Sequence, residues 1–186
     1  MIYRREFLDA HRYDVVDRAC PVLVVGEDNP HSDDAQNALF PYPVGCAGHR
    51  YAELITDVGA ATHLATWRTN LCNPRWSMNA ARARADLLLR TPGTPWSVIV
   101  MLGRKVSDAF ARATKRDLAP FEALEFLTDG GPSARAVRTL VYLPHPSGRN
   151  LVWNDQAQIH RARALLARVA PSWYGTEAAP DAVSGG

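Results

Sequence analysis

Two short loops of this sequence contain side chains that can do chemistry, and each follows an apolar run. The first loop, GEDNPH at residues 26–31, places the carboxylate of Asp28 just after the run PVLVVG. Such a carboxylate can activate a water molecule, and it can equally cap the turn or helix that follows. Gly26 allows a tight turn and lets a ligand approach the backbone. The loop therefore predicts a catalytic or binding segment formed by Gly26, Glu27, Asp28, Asn29 and Pro30.

The second loop, PHPSGRN at residues 144–150, holds a histidine between two prolines. Because the prolines restrict the backbone, His145 has little conformational freedom and can be directed at a ligand. A neutral imidazole can donate a hydrogen bond to a developing anion, although a single loop histidine is also typical of a solvated side chain. The candidate phosphate contacts of this loop are Ser147, Gly148, Arg149 and Asn150.

Residues elsewhere add weaker signals for binding a nucleotide. Asn70 ends an apolar run, where its amide can bind the edge of a base or cap a turn. Phe40 can stack on a base or pack in the core. Arg104 and Lys105 follow a glycine at the start of a helical pattern and can bind a phosphate. None of these residues identifies a function by itself.

The elements that must position these residues alternate between strands and helices. Short apolar, β-branched runs predict strands at residues 21–26, 65–70, 97–102 and 139–143. Longer stretches of helical character predict helices at residues 48–57, 78–90 with Ser77 as N-cap, 105–116 and 155–169. The alternation predicts an α/β fold, a three-layer α/β/α sandwich on a short, mostly parallel four-stranded sheet. Sites in such sheets form at the carboxyl ends of strands, where both loops are expected.

Composition and charge limit the class of protein. The chain has 186 residues, 47% hydrophobic and 22% charged, which predicts one globular domain over residues 1–175 and a disordered polar tail over 176–186. The net charge of +2 is too small to establish a polyanionic partner. No apolar run approaches the roughly 20 residues of a membrane span, so we expect no membrane partner. Three scattered cysteines are typical of a reducing cytoplasm, and a monomer is the default expectation. The three cysteines share no CxxC spacing and predict neither a disulfide framework nor a metal site.

The order and spacing of these motifs resemble those of the uracil-DNA glycosylase superfamily. GEDNPHSDDAQNALFPYP is similar to the family's GQDPYH loop with its downstream stacking aromatic, and TNLCNPR is similar to its second-strand Asn motif. PHPSGRN resembles its HPSPLS loop, and VIVMLGRKVSDAF stands where the family has a buried strand, a glycine and a helix. The resemblance spans residues 22–154. It implies a DNA glycosylase with that family's fold, which acts on a nucleotide flipped out of DNA and requires no metal or other cofactor.

The resemblance also implies a role for each matching residue. Asp28 would orient the attacking water or stabilise the oxocarbenium sugar, and His145 would donate a hydrogen bond to O2 of the departing base. Asn70 would bind the edge of the base and Phe40 would stack on it. The backbone of residues 26–28 would line the pocket.

Departures from the family pattern bear on the substrate. Pro30 stands where the family has a Tyr that excludes C5 substituents, and Arg149 stands where the family inserts a Leu into the vacated stack. If the first loop contains one extra position, Asn29 rather than Asp28 orients the water. The smaller Pro30 favours a monofunctional enzyme that excises a C5-modified pyrimidine. Examples are hydroxymethylated or glucosylated cytosine or uracil in phage DNA, where excision leaves abasic sites in anti-phage defence.

Other functions stay open on the sequence alone. The first alternative is uracil excision in base excision repair. The others are a non-catalytic DNA-binding module, against which the presence of both Asp28 and His145 argues, and a hydrolase of free modified nucleotides, which the weak net charge permits.

Overall fold

The apolar runs form the strands of one mixed sheet. The structure is a computed structural model that describes residues 17, 19–29, 37–73, 75–128 and 136–175. In this part of the chain the strands are β1 (Val22–Gly26), β2 (Trp67–Asn70), β3 (Val98–Leu102), β4 (Glu122–Leu127) and β5 (Val137–Leu143). Their order across the sheet is β2-β1-β3-β5-β4. Strands β1, β2, β3 and β5 are parallel, and β4 is antiparallel to β5.

The α/β fold is confirmed, but the prediction of a four-stranded sheet is wrong. The described residues form a five-stranded sheet, because β4 pairs with β5 at one edge. An edge strand has a partner on one side only, so β4 exposes residues such as Glu122 and Glu125 and lacks a continuous apolar run. Strand β2 begins at Trp67 and not at residue 65, because the preceding helix extends to Ala65.

Helices and turns connect the strands. They are α1 (Ala47–His49), which continues as a π-helical segment (Arg50–Ile55), α2 (Gly59–Ala65), α3 (Met78–Arg90), α4 (Arg104–Thr114), a 3-10 turn (Leu151–Asn154), α5 (Gln156–Val169) and α6 (Pro171–Tyr174). The predicted N-cap is confirmed, since Ser77 Oγ accepts a hydrogen bond from the backbone N–H of Ala80. The four predicted helices are present, whereas α2, the 3-10 turn and α6 were not predicted.

The central strands are buried on both faces. Every residue of β1 and of β3 is buried, so other elements cover both sides of these strands. Helices α3 and α4 pack against each other, and α5 packs on the π-helical segment and on α6. This packing gives the loops at the strand ends a rigid base.

Two predictions concern residues outside the described part of the chain. They are the role of Pro30 and the disordered tail at residues 176–186. Within the described residues, no helix has the length and apolar character needed to cross a membrane.

A buried histidine holds the segment before Phe40. His63 on α2 is fully buried, and its Nε2 lies 2.8 Å from the carbonyl oxygen of Leu39. A carbonyl can only accept, so Nε2 carries the proton. Nδ1 has no hydrogen-bond partner among the described residues. Burial lowers the pKa of His63 to about 4; the bond to Leu39 opposes this shift, and the charge of Arg68 adds to it. The imidazole is therefore neutral at pH 7.

We expect this histidine to make the stability of the protein depend on pH. The unfolded chain protonates His63 below about pH 6.5, whereas the folded chain protonates it only near pH 4. Because the unfolded state binds more protons in this window, the free energy of unfolding falls as pH decreases from 6.5 to 4, by about 3 kcal/mol at most. Urea unfolding at a series of pH values measures this change.

The variant His63→Gln is the control for this prediction. Its amide retains a donor for the Leu39 carbonyl but does not titrate, so its stability should depend less on pH than that of the wild type. Identical pH dependence in the two proteins would contradict the assignment.

Candidate active site

The loops predicted to carry chemistry lie at one edge of the sheet. Strands β1, β2, β3 and β5 are parallel, so their carboxyl ends share this edge. Gly26 ends β1, Asn70 ends β2, Gly103 follows β3, and His145 lies just beyond β5. A backbone hydrogen bond of 2.9 Å from Gly103 to Leu143 joins the ends of β3 and β5. The candidate site is built on these strand ends.

Gly26 allows Asn70 to lie directly over the end of β1. A Cβ at residue 26 would lie 2.5 Å from Asn70 Oδ1 and 3.3 Å from Leu39 Cγ, so no larger residue fits without displacing a neighbour. Asn70 is only 6% exposed, and its Nδ2 donates a hydrogen bond of 3.3 Å to Asn73 Oδ1. The amide is therefore held at the carboxyl end of β1, beside the backbone that leads to Asp28.

Gly103 is the second point of close approach. Its φ of 99° lies in the region that favours glycine. A Cβ there would lie 2.9 Å from Glu27 Oε1 and 3.2 Å from His145 Cβ. The absence of a side chain thus lets Glu27 from the β1 loop and His145 from the β5 loop converge over the end of β3.

The imidazole of His145 has a defined tautomer. The backbone N–H of Ser147 donates a hydrogen bond of 3.2 Å to His145 Nδ1, so in the neutral ring the proton is on Nε2. Burial lowers the pKa of His145, and the Lys105 charge lowers it further, whereas Glu27 and Asp28 oppose the shift. The side chain is therefore a neutral hydrogen-bond donor at pH 7.

Nearby residues and one distant residue hold the backbone of this loop. The carbonyl oxygen of His145 accepts hydrogen bonds of 3.0 Å from both Asn150 Nδ2 and Trp153 Nε1. The next carbonyl, that of Pro146, accepts a hydrogen bond of 3.0 Å from Arg50 Nε on the π-helical segment. Trp153 and Arg50 were not predicted as site residues, because no sequence pattern shows which backbone carbonyl a side chain will bind.

Phe40 lies on a segment that contacts the same edge. The carbonyl oxygens of residues 38–40 accept hydrogen bonds from Arg68 Nη1 (3.1 Å), His63 Nε2 (2.8 Å) and Cys46 Sγ (3.1 Å), respectively. Leu39, the neighbour of Phe40, is the residue that contacts the Cβ position of Gly26. Phe40 itself is 39% exposed, so its ring is not a core residue and is accessible for stacking.

The structure also pairs Glu27 with Lys105, two predicted site residues whose contact was not predicted. Lys105 Nζ, in the first turn of α4, lies 3.0 Å from Glu27 Oε2 and 5.6 Å from the centroid of the Trp76 ring. Hydrogen bonding to Glu27 raises the pKa of Lys105, which is therefore a cation. The ammonium group is thus part of the site, at the base of the β1 loop.

The remaining candidates lie at the margin of the site. Asn29 Nδ2 donates a hydrogen bond of 3.5 Å to the carbonyl of Asn37, and Arg104 is largely exposed, 3.8 Å from Asp108. Ser147 is half-buried, and Gly148 and Arg149 are exposed at the tip of the β5 loop. Within the described ranges, no three His, Cys, Asp or Glu side chains lie together as metal ligands.

We expect Gly26→Ala to disturb the site and to destabilise the protein. The new methyl group overlaps Asn70 Oδ1 and crowds Leu39, so the free energy of unfolding should fall by about 1–3 kcal/mol. Urea unfolding measures the loss. The matched control is Gly148→Ala, where a Cβ has no heavy atom within 4 Å and the change should stay within about 0.5 kcal/mol. Equal stability of the two variants would show that the edge is loosely packed.

The structure thus gathers a carboxylate loop, a buried amide and a neutral imidazole at one sheet edge, and Leu39, which contacts this edge, is followed by the partly exposed Phe40. All of these come from residues that the sequence singles out. The chain matches none of the protein-family models with which it was compared, and no curated protein matches it.

Proposed function

We propose that this chain is a monofunctional DNA glycosylase, with the fold of the uracil-DNA glycosylase superfamily, that hydrolyses the N-glycosidic bond of a flipped-out modified pyrimidine. The observation that carries the proposal is the close approach of Asn70 to Gly26 and of Glu27 and His145 to Gly103, at the ends of two neighbouring strands. The parallel order β2-β1-β3-β5 and the burial of β1 and β3 on both faces support the three-layer arrangement of that fold.

The chemistry of glycosidic cleavage matches these groups. When the C1′–N1 bond breaks, its electron pair leaves with the base, and the sugar becomes an oxocarbenium cation. The Nε2–H of His145 donates to O2 of the anionic base, and the carboxylate of Asp28 stabilises the cation and orients water. Water then adds to C1′, and its released proton neutralises the base. No lysine nucleophile is involved, so the product is an abasic site.

Binding of the base uses the other two groups of the site. The amide of Asn70 is buried and presents hydrogen-bonding atoms next to the backbone of the β1 loop. The ring of Phe40 is exposed and lies next to the residue that covers Gly26, where it supports stacking on an extruded base. DNA is the partner in this proposal, with Arg104 and residues 147–150 as the candidate backbone contacts.

The substrate we favour carries a substituent at C5. Pro30 follows the water-orienting loop and is smaller than the Tyr that the related motif has there, which leaves space beside C5. A hydroxymethylated or glucosylated cytosine or uracil of phage DNA fits this description. Excision of such bases would leave abasic sites in invading DNA, a role in anti-phage defence.

Base release from intact DNA tests the proposed activity and its residues. Purified protein is incubated with oligonucleotides that contain either a glucosylated 5-hydroxymethylcytosine or uracil, and strand breaks are counted after mild alkali. We expect Asp28→Asn and His145→Ala each to slow excision by about 100-fold or more, because each removes stabilisation that develops in the transition state.

Matched variants control for the loss of charge and of imidazole. Asp117→Asn and His160→Ala change the same residue types at exposed positions and should excise at the wild-type rate. Wild-type rates for Asp28→Asn and His145→Ala would overturn the residue assignment, and absence of breaks in every DNA would overturn the function. Breaks in uracil DNA alone would assign the protein to repair.

The preference for C5 substituents is tested separately by Pro30→Tyr. A tyrosine at this position should block the space beside C5 and lower kcat/KM for the C5-modified base relative to uracil by about tenfold or more. Pro95→Tyr, a change of the same size at an exposed turn, should leave this ratio unchanged. A ratio unaffected by Pro30→Tyr would show that Pro30 does not set the substrate.

A further inference from the structure

The reaction proposed for base excision does not use the ion pair formed by Glu27 and Lys105. Glu27 Oε2 lies 3.0 Å from Lys105 Nζ, and Glu27 Oε1 points to the space over Gly103 that His145 also borders. The carboxyl group is thus paired with the ammonium group and shares the space over Gly103 with the His145 side chain. Its side chain is 21% exposed, whereas that of Lys105 is 55% exposed.

An unpaired carboxylate at this position would hinder His145 as a neutral hydrogen-bond donor to the departing base. It would favour the imidazolium form, and it would repel the negative charge that develops on a departing base. A neighbouring cation cancels both effects. Lys105 is the cation in place, and its ammonium group also lies 5.6 Å from the centroid of the Trp76 ring.

We propose that Lys105 is a positioning residue of this site, which binds Glu27 and neutralises it so that His145 stays a neutral Nε2–H donor to the departing base. The proposal rests on the proposed function for the identity of the acceptor, but the electrostatic relation of the three residues holds without it. It gives Lys105 a role distinct from the phosphate contact that the sequence suggests.

Charged groups from three parts of the chain lie near the His145 loop. Glu27 and Asp28 come from the β1 loop, Lys105 comes from α4, and Arg50 of the π-helical segment binds the adjacent carbonyl of Pro146. Of the charges that act on the imidazole, Glu27 has the largest effect and Lys105 the next largest. Changing these two residues therefore tests whether their opposite charges together set the protonation of His145.

The first measurement is an NMR titration of His145 in the full-length protein with isotope-labelled histidine, with His145→Asn used to assign its signal. Lys105→Met should raise the pKa of His145, because Glu27 is left unpaired. Glu27→Gln should lower it, because Lys105 is left unpaired. The double variant Glu27→Gln/Lys105→Met should return it toward the wild-type value.

Two further variants separate electrostatics from structure. Lys105→Arg keeps the cation and should retain the wild-type titration, even if packing on Trp76 changes. Lys115→Met removes the other lysine of the chain, at the opposite end of α4, and should leave His145 unchanged.

The second measurement is the single-turnover rate of base release across pH. Lys105→Met should reduce this rate about tenfold at pH 7, and the double variant should recover most of the loss. An unchanged His145 titration in Lys105→Met, or a double variant no better than Lys105→Met, would overturn the proposal. If the wild type releases no base, the proposed function fails while the titration still decides the role of Lys105.

Discussion

The close approach of side chains to the backbone at the ends of β1 and β3 is the constraint on which the candidate site depends. Gly26 lets the amide of Asn70 lie over β1, and Gly103 lets Glu27 and His145 meet over β3. Neither contact is possible beside a larger residue. The parallel sheet provides neighbouring strand ends, and the two glycines turn that arrangement into a compact group of polar side chains.

Partial burial then determines what these side chains can do. At the edge of the sheet His145 is desolvated enough to be neutral, and the Ser147 N–H fixes which nitrogen carries the proton. His63 shows the same effect in the interior, where burial keeps the ring neutral and bonded to a carbonyl. The two histidines differ in their surroundings. His63 binds a backbone carbonyl and so stabilises the fold, whereas His145 lies near the charges of the β1 loop and of Lys105.

Much of the fold follows from local patterns. The four parallel strands were predicted because buried strands need continuous apolar runs, and Ser77 was predicted as an N-cap because its hydroxyl can satisfy a free N–H. Strand β4 was not predicted, since an exposed edge strand such as EALEFL has no such run. The meeting of Asn70 and His145 at one edge also follows, because parallel strands place their carboxyl ends together.

The sequence by itself determined the residue types, the order of the elements and the edge at which the polar loops lie. These depend on local hydrophobic patterns and on the topology of parallel sheets. Only the tertiary structure decided that Lys105 pairs with Glu27, that Arg50 and Trp153 hold the His145 loop, and that Arg68 and His63 hold the segment before Phe40. Most of these contacts join residues far apart in the chain, and in each case a side chain's partner depends on how the packed elements bring the two residues together.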